Sequence, residues 1–169
     1  MGTRRKAREC ALQILFQLEL NPSEPGDLIR TYWTYQKAGQ DIREYGNWLV
    51  ETTLARRAEI DQVIQAASRN WRLARMSVVD RNILRIAVGE LIHAPTLTAA
   101  IVINEAIEIA KRYSGQESAV FVNGVLDAVR LRLESGKAAP AAAEEGHHGQ
   151  ERKEPATGKK PRARRKPAD

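Results

Sequence analysis

The feature that most limits how this chain can fold is the spacing of its apolar residues. They recur at intervals of three and four through nearly all of the first 133 positions. Side chains at i, i+3, i+4 and i+7 share a face only on an α-helix. Runs of β-branched and aromatic residues with period two, the mark of strands, are nearly missing. Apolar residues make up 43% of the 169 and aromatic ones only 5%, so a core must rest on Leu, Ile, Val and Ala. A chain of this length can bury such a core. An all-helical domain over residues 1–134 follows.

Punctuation divides the stripe. A first helix is expected from about Thr3 to Leu20, with Ala7, Ala11, Leu12, Ile14, Leu15 and Phe16 on its apolar side, ended by Asn21-Pro22. A short helix follows around Asp27 to Gln36, and Gly39 marks a turn. One long helix is expected from Asp41 to Ser68, its stripe running through Trp48, Thr52, Ala55, Ile60, Val63, Ile64 and Ala67. Trp71 opens a connecting turn and is expected as a core anchor. Ser77-Val-Val-Asp80 reads as a capping box, with the shorter Asp in place of Glu. The helix it starts turns Ile83, Leu84, Ala87 and Leu91 inward and stops before Pro95. The next runs from Ala99 to Tyr113 and ends at Ser114-Gly115, with Glu108 and Arg112 spaced to pair. Ser118 is placed to cap the last helix, whose inward residues are Val122, Val125, Leu126, Val129 and Leu133. Asn123-Gly124 would elsewhere signal a hairpin. Here it falls within the first turns of that helix, and the cost of such a Gly, about 1 kcal/mol, calls for either close packing or close approach of a ligand.

Charge is concentrated at the ends. The net charge is +6, and Arg4, Arg5, Lys6 and Arg8 stand within five positions. Residues 135–169 hold nine Lys/Arg against five Asp/Glu and are rich in Ala and Pro. Such a tail cannot bury enough apolar surface to offset its chain entropy and is expected to be disordered. It either adds affinity for a polyanion or is simply solvated, and its adjacent His147 and His148 make only a weak metal signal. Cys10 is the single cysteine, which rules out an internal disulfide, and it stands among core positions. No secretory leader or membrane-spanning run is visible, so a cytoplasmic protein is expected. No nucleotide loop, zinc motif or nucleophile elbow occurs. Glu105 and Glu108 read as part of a solvated face, and His93 has no convergent partners, so no catalytic residue, cofactor or metal is expected.

The head points to a polyanion. Arg4 and Arg8 share a helical face, with Arg5 beside them, at a helix amino terminus whose free N–H groups and dipole favour phosphate. Single-stranded RNA also needs stacking surfaces and amide hydrogen-bonders, for which Gln13 and Phe16 are candidates.

Three segments, in order, resemble the NusB family of bacterial transcription antitermination factors. They are the Arg-rich start leading into Arg8-Glu-Cys-Ala-Leu-Gln13; Asp80-Arg-Asn-Ile-Leu-Arg-Ile-Ala-Val-Gly-Glu-Leu91; and Ile103-Asn-Glu-Ala-Ile-Glu-Ile-Ala-Lys-Arg-Tyr113, followed by Phe121-Val-Asn-Gly-Val-Leu-Asp127. The resemblance covers about Thr3 to Leu133 and leaves the tail outside. It implies about seven helices arranged as two small bundles packed together. It implies binding of boxA RNA of ribosomal RNA leader transcripts jointly with NusE, a small-subunit ribosomal protein. It also implies assembly with RNA polymerase and other Nus factors, and no catalysis. By the same resemblance Arg4, Arg5, Lys6, Arg8, Gln13, Phe16, Glu117, Phe121 and Asn123 would contact RNA, and Phe16 and Asp80 would face NusE. Family members often carry Tyr where Phe16 stands, so this chain keeps the ring without the hydroxyl. Asp80 could serve its helix cap or the partner.

Two other functions compete. NusB-like domains also precede some ribosomal RNA cytosine methyltransferases, but the region after Leu133 holds no α/β unit for a cofactor. A helical protein–protein adaptor with nonspecific RNA affinity is the other alternative, and the Arg-rich head argues against it.

Overall fold

A computed structural model describes residues 2–137. The expectations for the tail, His147 and His148 included, lie outside the described residues. Seven α-helices make up the described chain: α1 (Thr3–Leu20), α2 (Pro25–Tyr35), α3 (Gln40–Ala55), α4 (Arg57–Ala67), α5 (Val78–His93), α6 (Ala99–Tyr113) and α7 (Gln116–Glu134). A single 3-10 turn at Leu73–Arg75 lies between α4 and α5. No strand occurs among the described residues, and none of their helices is long and apolar enough to cross a membrane.

The helices form two small bundles. In the first, α1 packs on α2 and α3; in the second, α5 and α7 pack on each other and each on both α4 and α6. Helix α5 belongs to both, because it also packs on α1 and α3. That position explains its burial: every residue from Asn82 to Glu90 is buried, so no polar side remains to it. Close approach of α1 and α3 depends on Gly46, where a Cβ would stand 3.3 Å from the Trp33 ring and 3.4 Å from the Ala7 carbonyl. Gly115, at φ +100°, makes the tight turn from α6 to α7 that a side chain would strain. Cys10 is fully buried, as its apolar neighbours imply.

Four local expectations are corrected. The long helix is broken at Arg56, which leaves helical geometry at φ −110° and ψ 19°. Nothing in Ala55-Arg56-Arg57-Ala58 demands a stop; the break lets α3 cover α1 while α4 turns to cover α5 and α7. Trp71 is not a core anchor but 58% exposed, held edge-on to Phe121 with ring centroids 6.0 Å apart. Ser118 does not cap α7, which starts at Gln116 after Gly115; its hydroxyl donates to Asp80 instead. Gly124 is exposed, and a Cβ there would meet open space, so close packing does not account for it.

Candidate nucleic-acid interface

The Arg-rich head folds as the first turns of α1, and its four basic residues divide by burial. Arg4 is exposed, its guanidinium 3.8 Å above the Tyr45 ring, and it has no carboxylate partner among the described residues. Lys6 is half-buried and also lacks one. Arg5 donates twice to Glu105, each bond 2.8 Å, and keeps a third of its side chain exposed. Arg8 lies inside, only 3% exposed, with its guanidinium against Glu90, itself 1% exposed. Their N–O contacts are 3.0, 2.8 and 2.7 Å, a fork-on-carboxylate geometry. Arg8, expected to contact RNA, has its donors taken up by Glu90 in this fold and does not face solvent. Arg4 and Arg8 share a helical face by their spacing, but at Arg8 that face turns under α5.

The same carboxylate receives a third group. The Tyr45 hydroxyl donates to Glu90, and burial together with that hydrogen bond pushes its pKa up to about 12, so it stays a donor. Tyr45 stacks on Trp48, centroids 5.5 Å apart. Thr3, Arg4, Asp41, Glu44, Tyr45 and Trp48 line an open groove beside the head. Tyr45 as a support for the head had no signal in the sequence, since its partners are 41 and 45 positions away. Glu105, read as solvated, instead bonds Arg5 and stands 3.7 Å from Arg8; the Arg5 hydrogen bond holds its carboxyl below the usual range against the effect of burial. Glu108 does lie on a solvated face, where it pairs with Lys111 at 2.7 Å. The first turn of α1 has no acidic residue and no side-chain cap, which leaves its amino-terminal N–H groups open to an anion.

Further along α1 the candidates cluster at the opposite end. Arg5 and Glu9 meet Glu105 and Arg112 of α6, and Gln13 meets Tyr113, so α1 and α6 run side by side in the same sense. Gln13 is engaged within the fold, accepting from Tyr32 at 2.5 Å and donating to Tyr113 at 3.2 Å. Phe16, one turn on, is half-exposed. The carboxylate of Glu19 beyond it takes bonds from Arg81 and Asn82, which brings the end of α1 to the start of α5. There Ser77 caps α5 by accepting from the Asp80 N–H at 3.0 Å. The reciprocal half of the capping box does not form as drawn. Oδ2 of Asp80 accepts from Ser118 of α7 at 3.1 Å, and Oδ1 is buried with no hydrogen-bond partner. Asp80 is 9% exposed. Glu117 and Asn123 on α7 are exposed and Phe121 is half-buried.

The candidate residues thus form two groups, an electropositive one at the amino terminus of α1 and an aromatic and acidic one where α1, α5 and α7 meet. Between Arg4 and Phe16 the helix rises about 18 Å.

Known proteins share this fold. The model of the NusB family matches residues 5–130, from the first turn of α1 almost to the end of α7. A transcription antitermination protein NusB of Sorangium cellulosum is 42% identical over 133 residues, covering 79% of this chain and 95% of that protein. A solved complex of the antitermination factors NusB and NusE with double-stranded RNA holds a chain that superposes with a TM-score of 0.70 at 31% identity, covering 76% of this chain and 96% of that one. NusB of T. maritima superposes with a TM-score of 0.67 at 35% identity, covering 75% of this chain and 89% of that one. On the match through both bundles, the chain belongs to the NusB family.

Proposed function

We propose that this protein is a transcription antitermination factor that binds boxA-type single-stranded RNA of ribosomal RNA leaders together with NusE and, with other Nus factors, helps RNA polymerase resist premature termination. It acts in the cytoplasm by binding alone, without catalysis. The residues 1–134 are its RNA-binding domain, and 135–169 a separate tail. The observation that carries this reading is the acid-free, uncapped start of α1, with Arg4 and Lys6 free of carboxylate partners beside it. Arg4, Arg5 and Lys6 contact phosphate, and Phe16, Glu117, Phe121 and Asn123 contact bases or partner at the other end. Arg8 and Gln13 act from inside, by holding α1 in place. Phe16 and Asp80 face NusE.

The test is binding of a boxA-like and a scrambled single strand across a salt series, with and without NusE. Three phosphate-contacting cations give a slope of about −2 in log K against log salt, from about −0.7 each. NusE should tighten binding of the boxA strand alone. In the variant Arg4→Ala plus Arg5→Ala the slope should flatten by about 1.4 with helicity intact. Equal binding of both strands, unchanged by NusE, would leave only the adaptor reading.

A further inference from the structure

The loop between α4 and α5 carries a feature that neither the fold nor the residues assigned above use. Trp71 is more than half exposed, although a Trp at the edge of a helical bundle normally turns inward. Its loop is braced. The Trp71 N–H donates to the Ser68 carbonyl at 3.0 Å. The Trp71 carbonyl accepts from Ser68 Oγ at 3.2 Å and from Gln65 Nε2 at 3.3 Å. Gln65 Oε1 accepts from the Leu73 N–H at 3.0 Å, and Arg81 Nη1 donates to the carbonyls of Leu73 and Met76, both at 3.2 Å. The ring is thus presented by an ordered backbone and steadied edge-on by Phe121, with 70° between the planes.

Its surroundings suit one chemistry. Arg69, Arg72 and Arg75 flank Trp71, all exposed and without carboxylate partners among the described residues. On α7, Val120 is 67% exposed next to Phe121, and Gly124, one turn on, offers bare backbone with open space above it. Of the acids on that side, Asp127 is held by Arg130 at 2.8 Å and Asp80 is buried against Ser118, which leaves Glu117 as the exposed one without a cation partner among the described residues. Flat aromatic surface interleaved with arginines is the pattern that takes stacked bases and their phosphates. An acidic peptide would find the cations but has no use for the exposed rings.

We propose that Trp71 and Phe121 form a stacking platform for a base of single-stranded RNA, with Arg69 and Arg72 on the adjoining phosphates. This rests on the RNA-binding reading above and extends it to the α4–α5 loop. The open face at Gly124 lets the strand pass close to α7.

The experiment uses the full chain and a short single-stranded RNA carrying one 2-aminopurine, whose fluorescence falls on stacking. Trp71→Ala should weaken binding between about 5-fold and 150-fold, the span of a lost base–aromatic stack, and abolish the quench at one position of the probe. Its salt slope should not change. Trp71→Phe, which keeps a ring, should recover most of the affinity and the quench. Arg69→Ala plus Arg72→Ala should flatten the slope by about 1.4 while retaining the quench. Melting temperatures of all three should stay near the parent's, because the side chains are exposed. If the parent binds RNA and Trp71→Ala binds it equally well, the platform is refuted while the RNA-binding reading stands. Weakened NusE binding with RNA affinity untouched would make the loop a protein contact and overturn it likewise. A parent that binds no RNA with or without NusE would remove both.

Discussion

Glu90 is the place to perturb, because the burial of Arg8 separates a structural role from a binding one. Glu90→Ala deletes the acceptor of three guanidinium contacts of 2.7–3.0 Å at a site where both side chains are at most 3% exposed. Removing one partner of a buried pair costs about 3–5 kcal/mol, because the remaining charge stays uncompensated. The Tyr45 hydroxyl loses its acceptor as well, on the order of another 1 kcal/mol. For a domain of this size each kcal/mol moves the melting temperature by about 4 °C, so a fall of about 20 °C is expected. Arg8→Ala should cost a comparable amount, by stranding Glu90 instead. Arg8→Met with Glu90→Leu removes both charges while keeping volume, and should recover most of the loss. Urea unfolding followed by far-ultraviolet circular dichroism reads all four stabilities, and RNA titrations on the folded variants read binding. If Arg8→Ala leaves stability within about 1 kcal/mol of the parent yet abolishes RNA binding, Arg8 turns outward in solution and the reasoning fails.

Asp80→Ala removes the acceptor of Ser118 and should cost on the order of 1 kcal/mol. NusE affinity should fall more than RNA affinity, and unchanged NusE affinity in a folded variant would leave Asp80 only its link to α7. Burial pushes the Glu19 carboxyl up, but the bonds from Arg81 and Asn82 outweigh it and hold the pKa below the usual carboxylate value. A depressed folded pKa means that this stability is present above the unfolded value of about 4.3 and is lost as pH falls through the folded one. Glu19→Gln should therefore flatten the decline of urea midpoints on the acid side, and a parallel decline in parent and variant would exclude the linkage. Gly124→Ala enters open space on an exposed helix face and should stabilise by up to about 1 kcal/mol in thermal melts. A loss of RNA affinity in that more stable protein would mark Gly124 as a point of ligand approach, and unchanged affinity would exclude it.

The helices were legible wherever an apolar stripe ended in chemical punctuation. Asn21-Pro22 closes α1, Ser77 opens α5 and Ser114-Gly115 ends α6, because caps and breakers act locally. The break at Arg56 was not legible: both sides of it are amphipathic, and what separates them is the need of α3 and α4 to cover different neighbours. Trp71 misled in the opposite sense, since hydrophobicity gives the value of burying a ring but not whether a partner is there to bury it. At the candidate interface, composition pointed to the basic head, the need for a stacking ring pointed to Phe16, and the resemblance pointed to Asp80, Glu117 and Phe121. Neither could divide Arg4 from Arg8, because the difference is Glu90, 82 positions away along the chain.

The buried charges gather where the two groups of surface candidates are tied to one another. Near its carboxyl end α5 holds Arg8 of the head through Glu90. In its middle Arg85 bonds Asp61 of α4 at 2.7 and 2.9 Å and reaches Glu19 of α1 at 3.3 Å. At its start Asp80 holds α7 through Ser118. Apolar side chains of equal volume would serve stability as well or better, because desolvation offsets most of what such pairs contribute. Apolar contacts, however, tolerate sliding and rotation of one helix on another, whereas a bidentate carboxylate–guanidinium pair fixes register and angle. From Asp80 to Glu90 the helix rises about 15 Å. Helix α5 therefore acts as a ruler between the cationic end of α1 and the aromatic end where α1, α5 and α7 meet. On the function proposed above, a strand of RNA touching both ends would find their separation set in advance, and little of its binding energy would go into ordering the protein.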